Sequence, residues 1–297
     1  MSRWDGIEEM VAIASVGSFS GAAKALGVSN AHISRAIARL EATIQAPVFL
    51  RTTRKVHLTD TGKALLEQFR RIIEERDDAL DSASSLGEPR GSLRITCSTA
   101  IGERFVAPIV RHYAENHPGL RVALHLSNHL VDLIAEGYDL AIRTGHLADS
   151  RLTATKIATR RLFLCASPTY LSRHGLPENL DDLINHDCLV GTASTWHFVS
   201  DGRDFTLRPL GRWQCNSGGA VADAAVAGLG ICQLPEFYVA RFFEERSLVP
   251  LLETFRPDDE PVWAVYPQRR HLTPKVRLLV ETLRRDLGDA MSGKKRI

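Results

Sequence analysis

The first sixty residues combine apolar positions at helical spacing with breaks at glycine and serine. The apolar face of a first helix, predicted over about 5–15, is formed by Ile7, Met10, Val11 and Ala14. Gly17 ends that helix, and Ser18 or Ser20 can cap a second helix that runs to Gly27. The pattern therefore predicts two short helices separated by a tight turn.

A third helix is predicted over about 30–43, with Ser29 as its N-cap. Ala23 is small enough for the second and third helices to cross closely, and Gly27 supplies the turn between them. Ile33 is the branched apolar residue that fills the junction. Together these features predict a helix-turn-helix, which places its second helix in the major groove of DNA, whereas a purely structural hairpin is the alternative.

The outward side chains of this third helix carry the chemistry that reads base edges or meets phosphates. Near its start these side chains are Ser29, Asn30, His32, Ser34 and Arg35. Arg39 follows a turn later and is expected at a backbone phosphate. For His32, simple solvent exposure is an equal alternative.

Two short apolar runs after the third helix flank a basic turn. Residues 48–50 and 56–58 predict a small β-hairpin, or wing. Its cations are expected at phosphates or in the minor groove, and they are Arg51, Arg54 and Lys55.

The rest of the chain begins with a long helix and continues with alternating strands and helices. Thr59 can cap a helix predicted to reach about residue 85, whose apolar stripe packs either on a second copy or on its own domain. From residue 92 the order of elements predicts an α/β domain with a largely parallel sheet, including a short helix over 130–136. A strand over 262–266 can return the chain so that a helix over 274–287 packs on the first half.

Charge is unevenly distributed along the 297 residues, although the formal net charge is only +2. Residues 24–57 hold six basic residues and one acidic residue, whereas residues 59–90 hold five basic and eight acidic residues. The start of the chain lacks a signal-peptide pattern, and no apolar run approaches the ~18 residues of a membrane span. Five cysteines without a CxxC pair argue against disulfides and metal. We therefore expect a cytoplasmic protein without metal, cofactor or membrane partner.

Several ordered motifs resemble the LysR-type transcriptional regulators. Those resembling the family's winged helix-turn-helix are Gly17-Ser-Phe-Ser20, Ala22-Ala23, Leu26-Gly-Val-Ser29, Ile33-Ser-Arg35 and Arg51-Thr-Thr-Arg54. Those resembling its effector domain are Glu136-Gly-Tyr-Asp-Leu-Ala-Ile-Arg143, Cys165-Ala-Ser-Pro and Ala227-Gly-Leu-Gly-Ile231. Gln45 departs from the pattern, because the family usually has a glycine where the recognition helix closes.

The resemblance implies an α+β multidomain protein with three parts. These are an N-terminal winged helix-turn-helix over 1–58, a linker and dimerisation helix with a hinge over 59–90, and a C-terminal α/β effector domain over 91–297. The effector domain is of the two-lobed, periplasmic-binding-protein-like kind, with lobe I at about 91–160 and 267–297 and lobe II at about 161–266. The implied function is sequence-specific regulation of transcription, and the implied partners are promoter DNA, a small-molecule effector between the lobes, further copies in a dimer or tetramer, and RNA polymerase.

The resemblance also assigns candidate site residues. It adds Thr53 to the DNA contacts, and its candidate effector contacts are Ser98, Thr99, Asn128, Arg143, Thr192 and Trp196. Each of these has loop capping or core packing as its alternative, and Arg143 can instead pair with Asp139.

Two other functions compete with this interpretation. The first is the same DNA-binding scaffold controlled by cysteine oxidation, with Cys215 as the candidate thiol and with Cys165 and Cys232 as core residues. The second is a metabolite-binding enzyme, but the chain has no GxSxG, P-loop, HExxH or clustered metal-ligand motif.

Overall fold

The computed structural model describes residues 4–51, 56–83, 88–145, 152–268 and 272–293. The chain separates into two compact units, Met1–Gly87 and Glu88–Ile297. Each unit has its own hydrophobic core, so each is described by itself.

Three short helices open the first unit, and they are α1 (Ile7–Val16), α2 (Phe19–Leu26) and α3 (Asn30–Ile44). Gly17 and Gly27 end α1 and α2 as predicted, with φ of 77° and 67° that only glycine adopts without strain. Of the two candidate caps for α2, Ser18 is the one used, because its Oγ accepts the backbone N–H of Gly21. The helix-turn-helix expected from the sequence is therefore present.

The helix-turn-helix encloses one buried cluster, formed by Met10, Ile13, Ala22, Ala23, Ile33, Ile37, Leu40, Val48, Phe49, Leu66 and Phe69. Ala23 and Ile33 lie in this cluster, as the close helix crossing requires. Burying a side chain the size of isoleucine contributes about 1.5–3 kcal/mol, so a few such residues hold the small unit together.

The junction between α3 and the wing does not use the expected glycine. Gln45 takes a left-handed conformation with φ of 56°, which costs a residue with a side chain about 1–2 kcal/mol. The turn is held instead by side chains, since Glu41 Oε1 accepts the Val48 N–H at 2.8 Å. Thr59 Oγ1 also donates to the Pro47 carbonyl at 2.7 Å.

The wing consists of β1 (Phe49–Arg51) and β2 (Val56–Leu58), which pair antiparallel. It leads into the long helix α4 (Asp60–Ala83). Thr59 caps this helix as predicted, because its Oγ1 accepts the Gly62 N–H at 2.9 Å.

The apolar stripe of α4 is divided between two environments. Leu66 and Phe69 pack into the core of the helix-turn-helix, and Arg76 pairs with Glu8 of α1. Farther along, Leu80 is 67% exposed. The alternative in which the helix packs on its own domain therefore applies as far as Arg76, while Leu80 beyond it presents apolar surface.

The second unit alternates strands and helices. Its strands are β3 (Gly91–Cys97), β4 (Leu120–Leu126), β5 (Leu140–Thr144), β6 (Leu152–Arg160), β7 (Leu162–Ala166), β8 (Leu189–Val190), β9 (Trp196–Ser200), β10 (Arg203–Leu207), β11 (Trp213–Gln214), β12 (Cys232–Pro235), β13 (Val249–Leu251) and β14 (Glu260–Pro267). Its α-helices are α5 (Thr99–Ile101), α6 (Ala107–Glu115), α7 (Pro168–His174), α8 (Gly218–Val226), α9 (Glu236–Glu244) and α10 (Pro274–Met291).

Lobe I is a five-stranded sheet in the order β4-β3-β5-β14-β6. The pairs β3–β4 and β3–β5 are parallel, but β14 runs antiparallel to both β5 and β6. The expectation of a largely parallel sheet is therefore wrong for half of its pairings. The chain leaves the lobe along β6 and returns along the neighbouring β14, so these two strands run in opposite directions.

The return of the chain to lobe I also comes earlier than expected. The sheet of lobe I takes in all of β14 from Glu260, whereas the resemblance placed lobe II up to about residue 266. The helix α10 then packs on the core of lobe I, as expected, through Val276, Leu279, Val280, Leu283 and Leu287.

Lobe II differs more from the sequence-based expectation. Its three-stranded sheet has the order β12-β7-β13 with both pairs antiparallel, and β9 and β10 form a separate hairpin.

The prediction of a short helix over 130–136 in lobe I is wrong, since residues 133–137 form turns. Asp132 Oδ1 accepts the N–H groups of Ile134 and Ala135 there, which offers the backbone an alternative to helix.

Candidate DNA interface and effector cleft

The start of α3 presents polar side chains from a capped and exposed helix end. Ser29 Oγ accepts the His32 N–H at 3.1 Å, so the hydroxyl serves as the N-cap. Asn30 and Arg35 are exposed, and Ser34 is half-buried. Four of the expected base-reading residues thus lie along one exposed helix end.

His32 is held more firmly than its sequence position indicated. Its Nε2 lies 2.9 Å from Oε1 of Glu9, a residue of α1 that is 9% exposed. The second carboxylate oxygen of Glu9 accepts the Gly6 N–H at 2.9 Å. His32 is therefore not freely solvated, because a buried carboxylate fixes one of its ring nitrogens, but its side chain stays 42% exposed and its DNA contact stays a prediction.

Arg39 also has an acidic partner from the segment before α1. Its guanidinium lies 2.8 Å from Asp5 Oδ2, and its side chain is 40% exposed. The guanidinium that is expected to bind a phosphate is therefore already paired with a carboxylate, which lowers the local positive charge.

The expected contacts of the wing fall largely outside the described residues. The backbone of Arg51 ends β1, but nothing is described of its side chain. Thr53, Arg54 and Lys55 lie outside the described ranges, so their DNA contacts stay predictions.

A cleft of about 300 Å³ lies between the two lobes of the second unit. Lobe I contributes the carboxyl ends of β3, β4 and β5, where ligands commonly bind in α/β folds. Lobe II contributes residues 191–193 and 195–197, the end of β12 and the start of α9. Of the six expected effector contacts, the lining includes Ser98, Asn128, Arg143, Thr192 and Trp196, but not Thr99.

Arg143 is a cation of this cleft that has no acidic partner among the described residues. Its guanidinium donates to Thr96 Oγ1 at 3.3 Å, and burial lowers the pKa of Arg143. Within the described part of the chain, no carboxylate lies at ion-pair distance from it. Asp139, the alternative partner, accepts the backbone N–H of Arg94 at 2.9 Å through its Oδ2.

Two of the expected contacts of lobe I are engaged with each other. Asn128 Oδ1 accepts the Thr99 N–H at 3.1 Å and so ties the end of β4 to the start of α5. Ser98 precedes that helix and makes no side-chain capping bond with it. Asn128 therefore shapes the cleft wall, while the Ser98 hydroxyl is not used as a cap.

The expected contacts of lobe II serve the structure of the lobe. Thr192 Oγ1 donates to the Asn216 carbonyl at 2.9 Å. Trp196 is only 2% exposed and packs in the lobe II core beside Phe198, which favours its core alternative. The tryptophan thus supports the cleft wall and offers it little side-chain surface.

Sequence reasoning missed several residues that line the cleft. Arg160 on β6 and Glu260 on β14 form an ion pair at 2.5 Å. The side-chain amide of Gln233 accepts the N–H of His197 and donates to the carbonyl of the same residue. No local pattern marks these residues, because they meet only after the chain has crossed between the lobes twice.

The cysteines do not form an exposed reactive cluster. Burial raises the pKa of Cys97 to about 12 and that of Cys188 to about 11, so both thiols stay protonated near neutral pH. Cys165 and Cys232 are buried with their Sγ atoms 3.5 Å apart. Cys215, the candidate thiol for oxidation, is half-buried against the lobe II core and is not among the residues that line the cleft.

The two units match two parts of one protein family. Residues 4–63 match the family described as "Bacterial regulatory helix-turn-helix protein, lysR family", and residues 86–288 match the "LysR substrate binding domain". These matches define a DNA-binding regulator with an effector-binding domain. The chain belongs to the LysR-type transcriptional regulators, a family of regulators and not of enzymes.

Individual relatives are similar over nearly the whole chain. The transcriptional regulator DmlR of Escherichia coli is 35% identical over 273 residues, which cover 90% of this chain and 88% of DmlR. The structure of CrgA from Neisseria meningitidis is 29% identical with a TM-score of 0.58, covering 97% of this chain and all of CrgA. Full-length AphB of Vibrio cholerae is 27% identical with a TM-score of 0.59, covering 95% and 98%. In the described residues, no helix is long and apolar enough to cross a membrane.

Proposed function

We propose that this regulator recognises its operator with the first residues of α3 and contacts the DNA backbone with the wing. We also propose that it responds to a small anion bound in the interlobe cleft. The single observation that carries the effector part is the partly buried guanidinium of Arg143, which faces the cleft and has no carboxylate at ion-pair distance among the described residues. We place the regulator in the cytoplasm, since its partner is promoter DNA.

The DNA part of the proposal separates base reading from phosphate binding. Asn30, His32 and Arg35 are suited to base edges, with Ser29 and Ser34 beside them. Arg39 and the wing residues Arg51, Thr53, Arg54 and Lys55 are suited to phosphates or the minor groove. Support comes from the exposed, capped start of α3 and from the excess of basic residues over 24–57.

Salt dependence distinguishes these two roles. We expect Arg54→Ala to weaken binding to all duplexes and to reduce the slope of log affinity against log salt by about one unit per lost contact. Asn30→Ala should instead reduce discrimination between selected and random duplexes at nearly unchanged slope. Fluorescence anisotropy on both duplexes measures each quantity, and a salt-independent affinity of the unchanged protein would refute the DNA part.

An anionic effector follows from the electrostatics of the cleft. A cation withdrawn from water without a partner carries a desolvation cost, which a bound carboxylate or phosphate offsets by charge-assisted hydrogen bonds. The Ser98 hydroxyl, which lines the cleft and does not cap α5, adds a hydrogen-bonding group of the kind such an anion takes. Thr192 is suited to close the cleft from lobe II.

A thermal-shift screen with small carboxylates tests the effector. A ligand that binds only the folded state raises its stability, so the active carboxylate should raise the melting temperature of the second unit. Arg143→Gln should abolish that increase, while the exposed Arg241→Gln, on α9 away from the cleft, should retain it. An increase that survives Arg143→Gln would place the anion elsewhere.

The assembly and the mechanism are also proposals. The exposed Leu80 near the end of α4 suits pairing with a second copy, and two copies would bring two α3 helices to a two-fold operator. Pairs of dimers would form a tetramer, and RNA polymerase is the further partner at the promoter. The effector then acts through its different affinities for two arrangements of the assembly. Light scattering on Leu80→Glu should show the loss of the dimer.

A further inference from the structure

Glu9 is a buried acid that the DNA-contact set above does not include. It lies on α1, yet its side chain faces the first turn of α3 and is only 11% exposed. Both of its oxygens accept hydrogen bonds, one from the Gly6 N–H and one from His32 Nε2, each at 2.9 Å. A carboxylate kept from water in this way has a defined orientation, because both partners are on fixed backbone elements.

This contact determines which nitrogen of His32 is available. An ionised carboxylate can only accept hydrogen bonds, so Nε2 carries the proton that Glu9 receives. Nδ1 has no hydrogen-bond partner among the residues that the structure describes, and the His32 side chain is 42% exposed. The ring therefore presents its Nδ1 edge from a fixed position.

We propose that Glu9 is a specificity-determining positioning residue that orients His32 to read one base of the operator. The inference rests on the proposed contact of His32 with DNA. In the singly protonated ring Nδ1 is an acceptor, and its match in the major groove is an exocyclic amino group, the N4 amino group of cytosine or the N6 amino group of adenine. Preorienting the ring removes the rotamer freedom that a solvated histidine would lose on binding.

The neighbouring pair of Asp5 and Arg39 provides a contrast on the same face. A guanidinium keeps its charge and presents five donors, so it binds phosphate without needing one fixed ring edge. Neutralising Asp5 should therefore strengthen binding to every duplex alike, whereas neutralising Glu9 should change which base is preferred.

The experiment selects duplexes from a randomised library at pH 8 with the full chain. The variants are Glu9→Gln, His32→Ala, the double variant, and Glu8→Gln as the matched control. Glu8 is the next residue of α1 and pairs with Arg76 of α4, away from α3. We expect Glu9→Gln to reduce preference at one base pair of each half-site about fivefold, within the range of a single base-edge contact.

The double variant separates positioning from a general effect on the fold. If Glu9 acts through His32, the double variant should show the preference profile of His32→Ala, and Glu8→Gln should retain the original profile. An unchanged profile for Glu9→Gln, beside a changed one for His32→Ala, would overturn the positioning role and leave the DNA contact of His32 intact. An unchanged profile for His32→Ala would overturn both.

A measurement on the unchanged protein covers the case in which Glu9→Gln unfolds the first unit. The ¹⁵N shifts of the His32 ring, assigned by their loss in His32→Ala, should show a single Nε2–H form at pH 8. An average of the two tautomers would overturn the proposal without any variant of Glu9.

Discussion

The proposed DNA interface and the proposed effector cleft are built from very different lengths of chain. The proposed base-reading side chains lie within residues 29–35, on one helix end, whereas the lining of the cleft extends from Ser98 to Glu260. A helix end is specified by its cap, its period and its glycine turns, all of which are local. A cleft between lobes depends on where two crossings of the chain bring distant strands.

The two regions also treat their cations differently. Near α3, His32 and Arg39 pair with Glu9 and Asp5, so acids oppose these groups before DNA arrives. In the cleft, the Thr96 hydroxyl is the only side-chain hydrogen-bond partner of Arg143 among the described residues. The first arrangement suits orientation and selectivity, while the second carries a desolvation cost that a bound anion would relieve.

Removing a core side chain of the first unit should have the largest effect. We expect Ile33→Ala to lower the free energy of unfolding of the first unit by about 3 kcal/mol, because it leaves a cavity under α3. DNA binding should fall with it, while the thermal shift by the effector stays. Chemical denaturation of the full chain measures this, with the exposed Ile184→Ala as the control; a parallel loss of effector response would contradict the independence of the two units.

Arg143 offers the sharpest test of the cleft. At an effector concentration of one hundred times Kd, the unchanged protein should gain about 2.7 kcal/mol of stability. Arg143→Met should lose this gain, yet in the absence of effector it should be as stable as the original or more so, because the desolvated cation is gone. Thermal unfolding of both proteins with and without effector measures these stabilities. A marked destabilisation of effector-free Arg143→Met would show that Arg143 has a structural partner.

Removing the N-cap of α3 should have an intermediate effect that is confined to the stability of the first unit. Ser29→Ala removes the acceptor of the His32 N–H and should cost about 1 kcal/mol. Ser20→Ala is the control, since Ser18 and not Ser20 caps α2. Urea titrations monitor both variants, and equal losses would contradict the role of Ser29.

The smallest expected effect is a gain at the end of α3. Gln45→Gly should stabilise the first unit by about 0.5 kcal/mol, because glycine adopts φ of 56° without strain. Ala42→Gly, in the interior of the same helix, should lose about 1 kcal/mol. A loss at both positions would show that the Gln45 side chain contributes more than its strain costs.

Sequence reasoning was most successful where the physics is local. The bounds of α3, the caps Ser29 and Thr59, and strand β4 over Leu120–Leu126 agree with the pattern, because capping and periodicity act over a few residues. The helix expected over 130–136 failed for a local reason as well, since Asp132 competes for the backbone N–H groups.

Only the tertiary structure could decide how side chains far apart in sequence meet. The sequence by itself determined a capped, basic helix-turn-helix followed by a long helix and an α/β domain. The partners Glu9 of His32 and Asp5 of Arg39, the hydrogen bond from Arg143 to Thr96 and the antiparallel return of β14 emerged from packing. The physical reason is that hydrogen bonds and charge pairs depend on ångström distances, and those distances follow from how whole elements pack.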